Sequence, residues 1–291
     1  MMFCRLRVLG IVATVLTLSA PAYGQGGEGS NFSEGPVSTL DLAYDLYIGG
    51  IPFGQASMTV RIEGDRYTAT STLETQGIAN RLWRSKIETA ANGVIGDTRV
   101  RPNVYDSFST RRSGRRQEVT LQFDEDGPSS VFAVPTYNDP EDFRTTEEQK
   151  HLSLDPLSAL IFLTSSHYAD DSEPCNITAP IFDGRRRYDV GFSFVRRTDV
   201  SMDNGIYSGP ALICEVHYVQ IAGYRQTLIE QGKQVPRIYA WIAALPSRTN
   251  PDRPFMVPLR LWSETEYGLI VAVANTVKLD GVDPVHAGSE S

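Results

Sequence analysis

The chain has 291 residues, of which 41% are hydrophobic and 21% are charged, and its formal net charge is −8. An acidic balance argues against nucleic acid or anionic lipid headgroups as the main partner, because each phosphate contact requires a Lys or Arg. The hydrophobic content is sufficient for a substantial core, in one large β domain or in two small domains.

The N-terminus has the pattern of a secretory signal peptide. Arg5 and Arg7 precede a short apolar run over 8–18, and small residues at Ala22 and Gly24 offer a cleavage site after Gly24. The apolar run is well below the ~20 residues needed to span a bilayer. We therefore predict a signal peptide over 1–24 and export to the periplasm of a Gram-negative bacterium, with no transmembrane segment after cleavage. An anchor that stays attached is the alternative.

The remainder of the chain predicts one folded region between two flexible ends. Residues 25–39 are rich in Gly, Ser and Glu without an apolar period, which is typical of a disordered leader. We place the folded region at 40–280 and a disordered tail at 281–291.

Most of the folded region alternates with period two, as half-buried strands do. Met58, Val60 and Ile62 alternate with polar residues up to a Gly64-Asp65 turn, which predicts a hairpin with the strand over 66–74. Further strands are predicted over 103–110, 115–123, 188–197, 211–221, 236–243, 257–266 and 269–278, for a total of about ten to fourteen.

One clear helix is predicted to begin at Asp155-Pro156. Asp155 can cap the free amides, Pro156 suits the first helical position, and an apolar stripe follows from Leu157 to Leu163. A shorter helical turn is predicted after Gly77, and 135–150 is predicted to be a long polar loop.

Two cysteines remain when Cys4 is removed with the signal peptide. Cys175 and Cys214 form an even pair in an oxidising compartment, which favours a disulfide. Such a bond would add about 3–4 kcal/mol by the loop-entropy argument. The alternative is a redox-active or metal-binding pair, although the spacing is not that of a C-x-x-C motif.

No motif for catalysis, metal binding or cofactor binding stands out. The four His residues lack ligand spacing, and the chain contains no G-x-S-x-G, P-loop or dinucleotide fingerprint. We predict no catalytic residue, no metal and no cofactor. Asp139, Glu141 and Asp142 cluster in the polar loop, and they alone motivate an enzyme that acts on envelope glycans as a distant alternative.

Two sets of residues are candidate binding sites. Trp83, Trp241 and Trp262 are candidates to line an apolar cleft for an acyl chain or an extended peptide, although large aromatic residues are more often core. Asp183 with Arg185, Arg186 and Arg187 is a candidate partner-binding site, in which the carboxylate would orient arginines toward an anionic group. An ordinary Asp-Gly hairpin turn explains the same residues.

Several stretches of the chain resemble the exported bacterial family named domain of unknown function 3108. They are YDLYIGGIPFG at 44–54, TQGI at 75–78, DPLSAL at 155–160, IFDGRRRY at 181–188, YSGPA at 207–211, Cys214 and AGY at 222–224. The resemblance covers about 40–279, which favours one domain over two. It carries no established activity, so no catalytic residue transfers to this chain.

The resemblance implies a mainly β fold with a strongly curved antiparallel sheet, a β-spiral or half-barrel, and one or two packing helices. The family is similar in layout to the periplasmic lipoprotein carriers, which hold acyl chains in a concavity. Since fold does not imply function, two hypotheses stay open. The first is a binding protein for a lipid, a lipidated partner or an extended peptide. The second is an interaction protein that stabilises an envelope complex, with an unknown oligomeric state.

Overall fold

The computed structural model describes residues 37–82, 84–112, 114–136, 144–165, 175–224, 236–246, 254–266 and 268–284. These ranges form thirteen strands and three helices. The strands are β1 (Val37–Ile48), β2 (Ile51–Glu63), β3 (Arg66–Thr75), β4 (Ser85–Ile95), β5 (Val100–Arg111), β6 (Arg116–Asp124), β7 (Gly127–Val134), β8 (Ile177–Phe182), β9 (Arg187–Ser201), β10 (Ser208–Ala222), β11 (Ile238–Leu245), β12 (Phe255–Thr265) and β13 (Gly268–Leu279). The helices are α1 (Gly77–Leu82), α2 (Glu147–Lys150) and α3 (Pro156–Thr164).

All thirteen strands belong to one antiparallel sheet, in the order β7-β6-β5-β4-β3-β2-β1-β13-β12-β11-β10-β9-β8. Consecutive strands pair with one another throughout, except that β7 does not pair with β8, and β1 pairs with β13 as well as with β2. Hairpin connections of this kind need few residues. The prediction of a mainly β fold with an antiparallel sheet and a few helices is confirmed.

The sheet curves around α3, which begins where the sequence predicts. The Asp155 carboxylate accepts hydrogen bonds from the backbone N–H groups of Leu157 and Ser158, both at 2.9 Å, and Pro156 occupies the first turn. The helix packs against β3, β4 and β5 and also against β8 and β12. One short helix can reach both halves of the sheet only if the sheet wraps around it, and the sheet is nearly closed into a barrel.

The segment between α2 and α3 runs along the gap between the two sheet edges. The Leu154 N–H donates to the Pro180 carbonyl and the Phe182 N–H donates to the Leu154 carbonyl, each at 2.8 Å, so this segment pairs with edge strand β8. The Leu152 N–H donates to the Asp126 carbonyl at 2.7 Å, at the turn before β7. The segment therefore covers the β8 edge and contacts the beginning of β7.

Buried apolar residues form two clusters that meet at α3. The larger cluster takes Leu157 and Ile161 of the helix together with residues of most strands. The smaller cluster takes Ala159 and Leu163 together with residues of β8 to β12. A helix that is apolar on several sides is buried on several sides, which accounts for its position inside the curved sheet.

The observed elements differ from the predicted ones at a few places. The first strand begins at Val37, three residues before the predicted start of the fold. The predicted polar loop contains α2, which has a capping box formed by Thr146 and Gln149. Strands β1, β4, β7 and β8 are not among the predicted elements. Pro or Gly interrupts β4, β7 and β8, whereas the apolar alternation of β1 from Leu40 to Ile48 is regular and would have predicted a strand. No described helix has the length and apolar character needed to cross a membrane.

Candidate ligand-binding interior

A buried polar network fixes α3 inside the sheet. The Ser158 hydroxyl donates to the second oxygen of the Asp155 carboxylate, and the Tyr67 hydroxyl of β3 lies 2.6 Å from the Ser158 hydroxyl. Asp155 and Ser158 are fully buried and Tyr67 is 1% exposed. Burial raises the pKa of Asp155 to about 6, although the hydrogen bonds from Ser158 and Leu157 favour its charged form. The network ties the beginning of the helix to the centre of the sheet.

The face of the sheet that contacts α3 is filled at one end and open at the other. Residues two apart on a strand share a face, so Tyr67, Ala69, Ser71 and Leu73 of β3 all point inward. Ala69 is 2% exposed and lies in the core, whereas Leu73 is 41% exposed. Since Leu73 points inward and is still accessible, solvent reaches the inward face beyond the helix.

Neighbouring strands repeat this change from buried to accessible. On β4 the inward residue Ala91 is buried, whereas Thr89 and Ile87 are half-buried. We name the accessible part the open end of the interior and define it by its apolar side chains, which are half-buried or exposed: Leu46, Ala56, Met58, Leu73, Ile87 and Leu261. Serines and threonines of β3, β4 and β5 lie between them, so the surface suits an amphiphile.

A separate cavity lies beside α3 at the filled end of the interior. Its volume is about 200 Å³, and its wall is mostly apolar, with Val100, Phe123, Leu154 and Phe162 among the lining residues. Four charged residues, Arg99, Arg101, Asp124 and Glu125, also line it, and their formal charges cancel. The cavity is small for a ligand site, since such sites usually enclose about 300–1,000 Å³.

The structure places two of the three predicted tryptophans together, on the outward face of the sheet. The ring centroids of Trp241 and Trp262 are 5.7 Å apart, and the Arg260 guanidinium carbon lies 5.1 Å from the Trp241 centroid. Successive strand pairings place Trp241 and Arg260 on the same face of the sheet as Gln55. The next residue, Ala56, points inward, so the face of Gln55 is the outward one. A ligand-binding role for this pair stays a prediction. Trp83 lies outside the described residues.

The predicted partner-binding residues form the turn between β8 and β9. The Asp183 carboxylate accepts hydrogen bonds from the backbone N–H groups of Arg185 at 3.0 Å and Arg186 at 2.7 Å. Arg187 pairs with Asp189 at 2.5 Å and donates to the Gln149 carbonyl at 3.0 Å. Arg186 is exposed, with its guanidinium 5.5 Å from the Tyr224 ring centroid. Asp183 and Arg187 thus stabilise the turn, and partner binding by the group stays a prediction.

Cys175 and Cys214 form a disulfide, with Cα atoms 6.3 Å apart, so that prediction is confirmed. The bond joins Cys175, which lies just before β8, to Cys214 of β10, and strand β9 lies between β8 and β10 in the sheet. Both cysteines are at most 2% exposed. The redox-active and metal-binding alternatives for this pair are therefore not needed.

Other predicted features are only partly covered by the structure. Asp139, Glu141 and Asp142 lie outside the described residues. Across the described ranges, no group of three or more His, Cys, Asp or Glu side chains is arranged to hold a metal ion. The predictions of no catalytic residue, no cofactor and no metal stay predictions.

Sequence reasoning missed the apolar residues of the open end. The signal was present in β3, where the alternation of Tyr67, Ala69, Ser71 and Leu73 indicates one shared face. What the sequence did not indicate is how far along that face the helix reaches, because this depends on the wrapping of the whole sheet.

The fold and the partly filled interior define a class of curved β-sheet proteins built around an internal helix. Within that class, the chain belongs to the family described as "Protein of unknown function (DUF3108)", whose profile matches residues 43–275. A comparison with curated proteins gives no significant match.

Two solved structures give a structural comparison. The chain is similar to the beta-barrel-like protein of domain of unknown function DUF1849 from Brucella abortus, with a TM-score of 0.51 and 11% identity over 83% of this chain and 97% of that chain. This likeness concerns the fold alone. The crystal structure of MucB in complex with MucA(peri) aligns with a TM-score of 0.14 and 11% identity over 83% of this chain and 88% of that chain. That score is too low to support an argument.

Proposed function

We propose that this chain is a non-enzymatic binding protein of the bacterial cell envelope. Its ligand is the apolar chain of a lipid, of a lipidated partner or of an extended peptide, held in the open end of the interior. The observation that carries the proposal is the accessibility of inward-facing apolar side chains, above all Leu73 at 41% exposed.

An apolar surface of this kind is costly when it faces water. Burying apolar area is favourable by roughly 25 cal/mol per Å², so accessible inward residues gain free energy when an apolar ligand covers them. Helix α3 already fills the other end through Leu157 and Ile161, so a ligand would cover the part of the inward face beyond the helix. The polar residues between the apolar ones, such as Ser71 and Thr89, offer hydrogen bonds to an amphiphile's polar group.

The envelope location is part of the proposal and is supported by two features of the chain. The N-terminal segment has the charge and apolar pattern of an export signal. The Cys175–Cys214 disulfide fits an oxidising compartment. Fractionation of cells that express the full chain, with detection of the protein after osmotic shock, tests the location directly.

A charge placed in the open end tests the binding site. We expect Leu73→Glu to weaken binding of the apolar fluorescent probe N-phenyl-1-naphthylamine at least about tenfold, because an ionised carboxylate beside an apolar ligand loses hydration. The fold should tolerate the change, since Leu73 is accessible. Fluorescence titration gives the dissociation constants.

Thr70→Glu is the matched control, because it adds the same charge to an exposed, outward-facing position three residues away on β3. We expect its dissociation constant to stay within about twofold of the unmodified protein's. Equal affinities for all three proteins, or no binding of the probe to the unmodified protein, would contradict a ligand site at the open end.

A further inference from the structure

One of the two edges of the sheet is covered by another segment of the chain, and the other edge has no paired strand among the described residues. The edge of β8 is covered by the segment between α2 and α3, through hydrogen bonds of Leu154 with Pro180 and Phe182. Strand β7 is the other outermost strand, and within the described residues no strand pairs with its free side. Proteins usually protect such an edge with charges, a bulge or a covering element.

Strand β7 carries apolar side chains where protection would be expected. From Ser129 to Phe132 every residue is exposed, and Val131, Phe132 and Val134 are 40%, 58% and 46% exposed. The sequence GPSSVFAV contains no Lys, Arg, Asp or Glu, and its Pro128 and β-bulge interrupt only the beginning of the strand. Val131 and Phe132 point to opposite faces and are both accessible, so neither face of the strand is covered at these two positions.

The outward face beside this edge carries three carboxylates, Glu88, Asp106 and Glu118, and two cations, Lys86 and Arg116, so the carboxylates are in excess by one. Glu118 lies directly opposite Val134, and Thr120, whose hydroxyl donates to Asp106 at 2.6 Å, lies opposite Phe132. Glu118, Asp106 and Glu88 line a shallow depression of about 350 Å³ around the half-buried ring of Phe108. Lys86 pairs with Glu88 at 2.7 Å, so Asp106 and Glu118 are the carboxylates nearest the edge that lack a described cationic partner.

We propose that β7 is a docking site for an extended, cationic segment of a partner protein, which adds to the sheet as a fourteenth strand. The backbone of the added strand would pair with the free edge, and its alternate side chains would cover Val131 on one face and Phe132 on the other. This interaction is independent of a ligand in the open end.

The charges of the site select the partner. An added strand lies about 5 Å from β7 and about 10 Å from β6, a distance that the side chains of a Lys and of Glu118 span together. The aliphatic part of a Lys or Arg can pack against Phe132 while its charge faces the carboxylates. A second copy of this chain is a poor fit, because pairing β7 with itself would bring together two faces on which carboxylates outnumber cations.

Fluorescence anisotropy with short labelled peptides tests the proposal on the full chain. The probe is a nine-residue peptide that alternates Lys and Val. We expect saturable binding that weakens when the salt concentration rises, because the attraction between exposed charges is screened. Two matched peptides are the controls: one with Glu in place of Lys, and one with alternate backbone amides N-methylated, which keeps the charge and removes edge hydrogen bonds.

The two control peptides test strand addition and charge selection separately. We expect the Glu peptide and the N-methylated peptide each to bind at least about tenfold more weakly than the parent. Equal binding of the N-methylated peptide would overturn strand addition, and equal binding of the Glu peptide would overturn the charge selection.

A pair of charge reversals locates the site on the protein. Glu118→Lys should weaken binding of the Lys-Val peptide at least about tenfold, whereas Glu264→Lys, at an exposed position of β12, should change it less than about twofold. Equal effects of the two substitutions would overturn the assignment to β7. Concentration-dependent dimerisation of the unmodified protein that the peptide does not disperse would also overturn it, in favour of a second copy at this edge.

Discussion

The carboxyl group of Asp155 has two tasks at the residue scale. It caps α3 by accepting hydrogen bonds from two backbone N–H groups, and it accepts a third hydrogen bond from the Ser158 hydroxyl in a fully buried site. Capping favours the charged form and burial disfavours it, and burial is the larger effect because the pKa is raised from 3.8 to about 6. The residue that positions the helix therefore also couples the stability of the fold to pH.

The raised pKa predicts that stability falls as the pH rises from about 4 to about 6. Over this range the folded state keeps a proton that the unfolded chain has lost, so a rise in pH favours unfolding. The loss from this group should approach about 3 kcal/mol and level off above pH 6, since one pKa unit corresponds to 1.36 kcal/mol. Urea unfolding at pH 4, 5, 6 and 7 measures it.

Asp155→Asn isolates this contribution from those of other carboxylates. The amide keeps an oxygen for the Leu157 and Ser158 N–H groups but does not titrate. We expect the difference in unfolding free energy between the two proteins to change by about 3 kcal/mol between pH 4 and pH 7, in favour of the variant at higher pH. Parallel pH profiles of the two proteins would contradict a raised pKa at this site.

At the element scale, the end of β10 closely approaches the turn that joins β8 to β9. Gly223 follows β10 at φ +81°, and a Cβ atom there would lie 2.8 Å from Arg186 Cα and closer still to the Arg185 carbonyl oxygen. Both neighbours are backbone atoms, which cannot move aside as a flexible side chain can. Only glycine fits this position without a shift of the turn.

Gly223→Ala should therefore destabilise the protein by ~3 kcal/mol or more, since it combines an unfavourable φ with a backbone clash. Gly205→Ala is the matched control, because Gly205 has a similar φ of +73° and nothing within 4 Å of its added Cβ. We expect the control to cost about 1–2 kcal/mol. Similar unfolding free energies for the two variants would contradict the close approach.

Some helices and strands can be predicted from their own residues, and others cannot. Asp155-Pro156 indicates the start of α3, and Gly64-Asp65 indicates the hairpin of β2 and β3, because capping and turn chemistry are local. Strand β8 contains Pro180 and is only six residues long. Its place in the sheet comes from antiparallel pairing with β9 across the Asp183-Gly184 turn, and Leu154 covers its other side. The turn is a local signal, but the Leu154 contact is not.

At the scale of the whole molecule, the curved sheet was expected from family resemblance rather than from the strands themselves. The alternation of side chains along a strand indicates that Trp241 and Ile242 point to opposite faces of the sheet. It does not indicate which of the two residues faces α3. That depends on the register across five strands, from Trp241 to Gln55. The tryptophans consequently lie on the outward face, while smaller residues such as Leu73 and Ile87 line the open end.

The central claim is that the open end holds an apolar ligand, and native mass spectrometry tests it most directly. The full chain is expressed with its own signal segment and purified without detergent, and the same sample is extracted for lipids. We expect a near-stoichiometric added mass that matches an extracted amphiphile and is lost in Leu73→Glu but kept in Thr70→Glu. A mass equal to that of the polypeptide alone, with no lipid in the extract, would contradict the claim.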